Sequence, residues 1–140
     1  MRILGLDLGK KRIGIAISDE LGWTAQGLET LERQDIGRDL DYLARLINAY
    51  QAEELVVGLP RDQYGEIGPA AQEVLSFVDL CKKTFAIPIT TWDERFTTVA
   101  ATRSLIDADL SRKKRKKVVD KVAAVLILQG YLDWRSRERK

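Results

Sequence analysis

The first nineteen residues constrain the fold more than any other stretch of the chain. Residues 2–8, Arg-Ile-Leu-Gly-Leu-Asp-Leu, form an apolar, β-compatible run that ends at an acid. Gly9-Lys10-Lys11 supplies a turn, with Gly9 free to take a positive φ. Residues 12–19, Arg-Ile-Gly-Ile-Ala-Ile-Ser-Asp, then alternate with period two, so residues 2–19 are expected to form a hairpin. A third strand is expected across Gln26–Arg33, where Leu28 and Leu31 interrupt polar residues. Residues 37–50 carry Leu40, Leu43, Ala44, Leu46 and Ile47 at helical spacing. Leu55-Val56-Val57-Gly58-Leu59 before Pro60 fits a buried parallel strand. Pro69 suits the first turn of a helix over 69–84, and residues 87–92 read as another strand that runs into Asp93-Glu94-Arg95. Helices are expected over 97–107 and 115–134.

The order is therefore three strands, then α, β, α, β, α, α. Meander strands followed by strands that alternate with helices predict an α/β protein. Its mixed five-stranded sheet has three meander strands plus two parallel strands, with helices on both faces. No repeat or linker divides the 140 residues, so residues 1–140 are expected to form a single domain.

Composition narrows the chemistry. The chain has no histidine and one cysteine, Cys81. It therefore cannot build a Ser-His-Asp or Cys-His nucleophile pair, a histidine-ligated zinc site or an intramolecular disulfide. Carboxylates, lysines and tyrosines remain, and with them hard oxygen-ligated cations such as Mg²⁺ or Mn²⁺. No stretch approaches the ~18 apolar residues of a membrane span. The N-terminus enters a strand without a signal-like segment, so a cytoplasmic location is expected. Net charge is +2 but segregated: residues 1–102 hold 11 basic and 16 acidic groups, residues 103–121 hold 8 and 3. An acidic body with a basic arm suits a polyanionic partner.

Three acids stand out. Asp7 closes a central strand beside Gly9, where α/β folds collect ligands, although an aspartate there also caps turns. Glu94 follows directly on the strand at 87–92. If that strand and 2–8 are parallel neighbours, both acids emerge at one sheet edge. The alternative for Glu94 is a pair with Arg95 or a helix cap, with Asp93 the nearer rival as cap. Asp120 lies in Lys116-Lys117-Val118-Val119-Asp120-Lys121, followed by Ala123 and Ala124, which leave room above it. A salt bridge to Lys116, Lys117 or Lys121 would also account for its charge.

Arg112, Lys113, Lys114, Arg115, Lys116 and Lys117 form six consecutive cations. Cations at a helix N-terminus oppose the macrodipole, whereas contact with phosphate gives the run a purpose through counterion release. The loop after Gly58 offers Arg61, Gln63 and Tyr64 for phosphate contact or base stacking, and an ordinary surface loop is an equal reading. Trp23, Trp92, Trp134 and Cys81 are taken as core or boundary residues.

Together these pieces resemble the YqgF/RuvX family of RNase H-like nucleases. The resemblance is carried by Gly5-Leu6-Asp7-Leu8-Gly9 with Arg12-Ile13-Gly14-Ile15-Ala16, and by Val57-Gly58-Leu59-Pro60 with Gly65 and Gly68. Trp92-Asp93-Glu94-Arg95-Phe96-Thr97-Thr98 and the stretch from Ser111 through Gly130 complete it. It implies an RNase H-like fold and a catalytic triad of Asp7, Glu94 and Asp120 that also holds one or two Mg²⁺ or Mn²⁺ ions. It further implies action on nucleic acid, either in maturing the 5′ end of pre-16S ribosomal RNA or in resolving Holliday junctions. Lys113, Lys116, Lys117 or Arg95 are then expected to neutralise phosphates. Arg61-Asp62-Gln63-Tyr64 departs from the family's usual wording, which bears on substrate contacts and not on the acids. No membrane partner is expected, and the chain is expected to act as a monomer or weak homodimer. Two rivals stand beside this reading. An actin-like ATP-binding module would share Asp7-x-Gly9, and a non-catalytic nucleic-acid-binding factor would need only the basic run.

Overall fold

The computed structural model describes residues 1–61, 64–96 and 112–138, with side chains outside 112–120. The strands are β1 Arg2–Leu8, β2 Arg12–Ser18, β3 Ala25–Gly27, β4 Leu31–Glu32, β5 Ala52–Leu59 and β6 Ile89–Asp93. The helices are α1 Ile36–Tyr50, α2 Pro69–Thr84 and α3 Arg112–Glu138, and a 3₁₀ turn covers Glu94–Phe96. The expected helix at 97–107 lies outside the described residues.

The sheet order is β3-β2-β1-β5-β6, with β4 also on β2. β1 pairs antiparallel with β2 and parallel with β5, and β5 pairs parallel with β6. The expected mixed sheet is present, but with six strands instead of five. The third meander strand is split because Gly27 pairs with Ala16 while Leu31 pairs with Ile13. Four residue steps on one side thus face three on the other, and the excess residue breaks the ladder as a bulge does.

Strand alternation sorts side chains into two cores. Leu4, Leu6, Leu55, Val57 and Leu59 face α1 and α2, where they meet Leu43, Val74, Phe77 and Cys81. On the other face Ile3, Ala16 and Val56 meet Ala123, Ala124, Ile127 and Leu128 of α3. In α2 the buried residues Ala71, Val74, Phe77, Val78 and Cys81 recur at helical spacing. α1 begins at Asp35, whose side chain accepts from the Arg38 amide, and ends at Gln51 in the left-handed region.

The direction of α3 matters for the site. Gln129 accepts from the Ala25 amide at 2.9 Å, while the Lys121 stem crosses over Gly27. Residue numbers therefore fall along α3 as they rise along β3 and, parallel to it across β2, along β1. Contact is close: a Cβ on Gly5 would lie 2.7 Å from Leu128 Cβ and 3.5 Å from the Ala124 carbonyl oxygen. At the far end of the helix, Glu54 is buried and accepts from Tyr131 at 2.5 Å, Thr90 at 2.8 Å and Arg135 at 3.3 Å. This cluster ties α3 to β5 and β6.

Trp23 corrects one expectation. It is 61% exposed on the loop after β2, neither core nor boundary, and Leu21 beside it is 73% exposed. Trp92 packs against the α3 core, and Cys81 is fully buried.

Candidate active site

Parallel strands deliver two of the expected acids to one edge of the sheet. Asp7 is the penultimate residue of β1 and only 5% exposed. Continuing the register beyond Leu6↔Val57 sets Asp7 level with Gly58, whose own partner on β6 is Trp92. β6 ends one residue later, and Glu94 opens the 3₁₀ turn. Asp7 and Glu94 line the same cleft, a cavity of about 590 Å³ shared with Lys10, Pro60, Pro69 and Glu73.

The strands that carry them are not neighbours, contrary to the condition set from sequence, because β5 lies between them. Gly58 makes that separation workable. A Cβ there would lie 2.4 Å from Ile127 Cδ1 and 3.4 Å from Glu94 Cγ. The bare backbone at this position leaves the strip between the two acids to Ile127 and the Glu94 stem.

Asp93 holds the turn that presents Glu94. Its Oδ1 accepts from the Arg95 amide at 2.9 Å, and both its oxygens take the Arg95 guanidinium, with Nη2 at 2.7 Å. Arg61, from the end of β5, approaches the same carboxylate at 3.7 Å. The hydrogen bonds from Arg95 outweigh burial and, with the charges of Arg95 and Arg61, hold the Asp93 carboxyl below the usual aspartate value. Sequence reasoning offered Arg61 and Arg95 to phosphate, and the structure gives both guanidiniums to Asp93. Gly65, at φ +81°, closes over Arg95: a Cβ there would lie 2.7 Å from Nη1. Asp93 was treated from sequence as a rival helix cap. The signal for its bracing role was an aspartate at a strand end with its partner amide two residues on.

Position 120 and the run 112–117 both lie on α3. The side chains of Asp120, Arg112, Lys113, Lys114, Arg115, Lys116 and Lys117 are outside the described residues, as is Gln63. Among the described residues no group of three carboxylate, cysteine or histidine side chains is gathered to hold a metal ion. Nor is any described helix long and apolar enough to cross a membrane. Two residues that sequence reasoning left aside, Lys10 and Glu73, also border the cleft.

The chain is similar to known proteins along nearly its whole length. A Desulforamulus reducens protein provisionally named a pre-16S rRNA nuclease is 54% identical over 95% of this chain and 97% of its own length. Proteins of the same provisional name from Clostridium botulinum and Bacillus licheniformis are 56% and 53% identical, each over 95% of this chain and 97% of the relative. Among solved structures, Thermus thermophilus RuvC in complex with a Holliday junction substrate superposes with a TM-score of 0.59 at 14% identity, covering 97% of this chain and 96% of that one. The fowlpox virus Holliday junction resolvase gives 0.53 at 15% identity, over 96% and 99%. At such identities these two establish the shared fold. The sequence profile of RuvX, described as Holliday junction resolvase, matches residues 1–134, and the chain belongs to that family.

Proposed function

We propose that the chain is a divalent-metal-dependent phosphodiesterase whose catalytic acids are Asp7, Glu94 and Asp120, and that its substrate is the 5′ end of pre-16S ribosomal RNA in the cytoplasm. The observation that carries this reading is the shared cleft of Asp7 and Glu94 at the carboxyl ends of β1 and β6. Backbone register supports the third acid. Leu128 Cβ and the Ala124 carbonyl oxygen both approach Gly5, and four residues back from Ala124 along a helix covers about 6 Å. Two residues forward along β1, from Gly5 to Asp7, covers about 6.6 Å. Because α3 runs against β1, position 120 lies from Ala124 in the direction in which Asp7 lies from Gly5, which supports its inclusion.

The donor set fits a hard cation. A nearly buried aspartate opens onto a cleft with two further carboxylates, Glu94 and Glu73, and no sulfur or imidazole, the ligand chemistry of Mg²⁺ or Mn²⁺. Asp7, Glu94 and Asp120 would hold the ion, which when bound neutralises phosphate charge and lowers the pKa of the attacking water. The protein's own groups do the rest. The Asp93–Arg95 bracket fixes the turn that presents Glu94. Arg61 and Arg95 set positive charge beside the turn that carries Glu94, where a phosphate would meet it. Arg112–Lys117 hold flanking phosphates through charge, without reading bases.

The rRNA substrate is favoured by the names of the relatives that match at 53–56% identity along nearly the whole chain. The family description favours a second substrate, the four-way DNA junction. Cleavage of precursor rRNA and of a four-way junction, run side by side with Mg²⁺, Mn²⁺ and chelator, separates them. Ion-dependent cleavage of the RNA that is lost in Asp7→Asn, Glu94→Gln and Asp120→Asn is the expected result. Full activity in chelator, or in any of the three variants, overturns the assignment.

A further inference from the structure

A larger concavity, of about 1080 Å³, lies beside the acid cleft on the α1/α2 side of the sheet. It shares Leu8, Lys10, Pro69 and Glu73 with that cleft, so the two make one continuous trough around the tip of the β1–β2 turn. Lys10 and Lys11 stand exposed on that tip and line it.

The lysines rest on a braced platform. Arg33 donates to the Gly9 carbonyl at 2.9 Å, its amide donates to the Lys11 carbonyl at 2.9 Å, and its guanidinium approaches the buried Asp39 at 3.6 Å. Gly9 closes the turn with its amide on the Arg12 carbonyl at 2.9 Å. The other charges nearby are engaged: Arg12 binds Glu32 at 2.8 Å, and Arg33 is held as described. Among the described residues Lys10 and Lys11 form no ion pair; the acids that line the trough with them are Glu32, held by Arg12, and Glu73, with Asp7 and Glu94 in the adjoining cleft. Two cations held on a rigid turn, next to catalytic acids and opening into an elongated groove, suit a chain of phosphates better than a compact ligand.

We propose that this trough binds the sugar-phosphate backbone of the substrate strand, with Lys10 and Lys11 each meeting a phosphate, on the face of the sheet opposite α3. The strand then crosses the carboxyl edge of the sheet at Asp7, one flank in the trough and the other toward the basic start of α3. The proposal rests on the nuclease reading and adds to it where one flank of the substrate lies.

The test is fluorescence anisotropy with a labelled single-stranded RNA in chelator, which blocks cleavage, over a salt series. The proteins compared are wild type, Lys10→Gln/Lys11→Gln, and Lys82→Gln/Lys83→Gln at the far end of α2, with unchanged melting temperatures as the check on folding. Each phosphate contact contributes about 0.7 to the slope of log K against log salt for single strands. The Lys10/Lys11 variant is expected to lose about 1.4 from that slope and the Lys82/Lys83 variant nothing. Wild-type binding with a slope unaltered in Lys10→Gln/Lys11→Gln overturns the trough and leaves the nuclease reading intact. Absence of any salt-dependent binding by the wild type also overturns the trough, whereas the nuclease reading falls only with the cleavage assay above.

Discussion

Gly58 gives the sharpest test of how the two acids are kept together. In Gly58→Ala the new methyl would stand 2.4 Å from Ile127 Cδ1 and 3.0 Å from Cγ1, inside the 3.4 Å of ordinary contact. Ile127 is fully buried, so it has no free space to retreat into. Overpacking of this kind costs about 1–3 kcal/mol. For 140 residues the unfolding entropy is about 0.3 kcal/mol/K, so the melting temperature should fall by roughly 3–10 °C. Because the clash lies at the end of a flexible side chain, Ile127→Val should relieve it. The valine alone costs about 1 kcal/mol, and the double variant should be more stable than the sum of the two single costs by about 1 kcal/mol. Gly5→Ala offers the contrast. Its clash is with Leu128 Cβ at 2.7 Å, an atom that Leu128→Ala retains, so that pair should show no rescue. Thermal and urea unfolding of the six variants reads both cycles. A Gly58→Ala protein as stable as wild type, or strict additivity with Ile127→Val, would refute this packing argument.

Three other outcomes follow from buried and paired groups. Tyr131→Phe leaves Glu54 short of a donor and should cost about 1–3 kcal/mol in chemical denaturation. Burial and the Glu54 bond push the Tyr131 phenol up to about 12. Its contribution to stability is therefore complete below pH 10 and lost as pH rises from there toward 12, a loss that Tyr131→Phe should not show. Burial likewise pushes the Cys81 thiol up to about 12, so a disulfide reagent at pH 8 should react with it only after denaturation, and fast labelling of the native protein would contradict its placement. The depressed Asp93 carboxyl stabilises the fold above the ordinary aspartate value, with the benefit fading as pH falls below it. The stability gap between wild type and Asp93→Asn should close in acid, as followed by circular dichroism.

Much of the fold was legible because it is local. The alternation in residues 12–19 gave β2, and Pro69 with the apolar spacing after it gave α2 from its first residue to its last. The acids at strand ends were legible for the same reason: a strand that terminates at an acid puts that acid at an edge. What the sequence could not show depends on distant partners. The bulge that splits the third strand is visible only when Gly27 and Leu31 are set against Ala16 and Ile13. The insertion of β5 between β1 and β6 is a choice of topology that apolar runs do not encode. Arg61 and Arg95 look like free cations in the chain and become partners of Asp93 only when β5 and β6 lie side by side. Trp23 was assigned inward by its type, and nothing local marks a tryptophan that stays exposed.

The shared metal site of Asp7, Glu94 and Asp120 is tested most directly by titrating Mn²⁺ into the wild-type protein and into Asp7→Asn, Glu94→Gln and Asp120→Asn, with free Mn²⁺ read by electron paramagnetic resonance. Each single replacement is expected to weaken Mn²⁺ binding by at least tenfold, while Asp133→Asn, on the distal part of α3, leaves it unchanged. Wild-type affinity in any one of the three acid variants would contradict a site built by all of them.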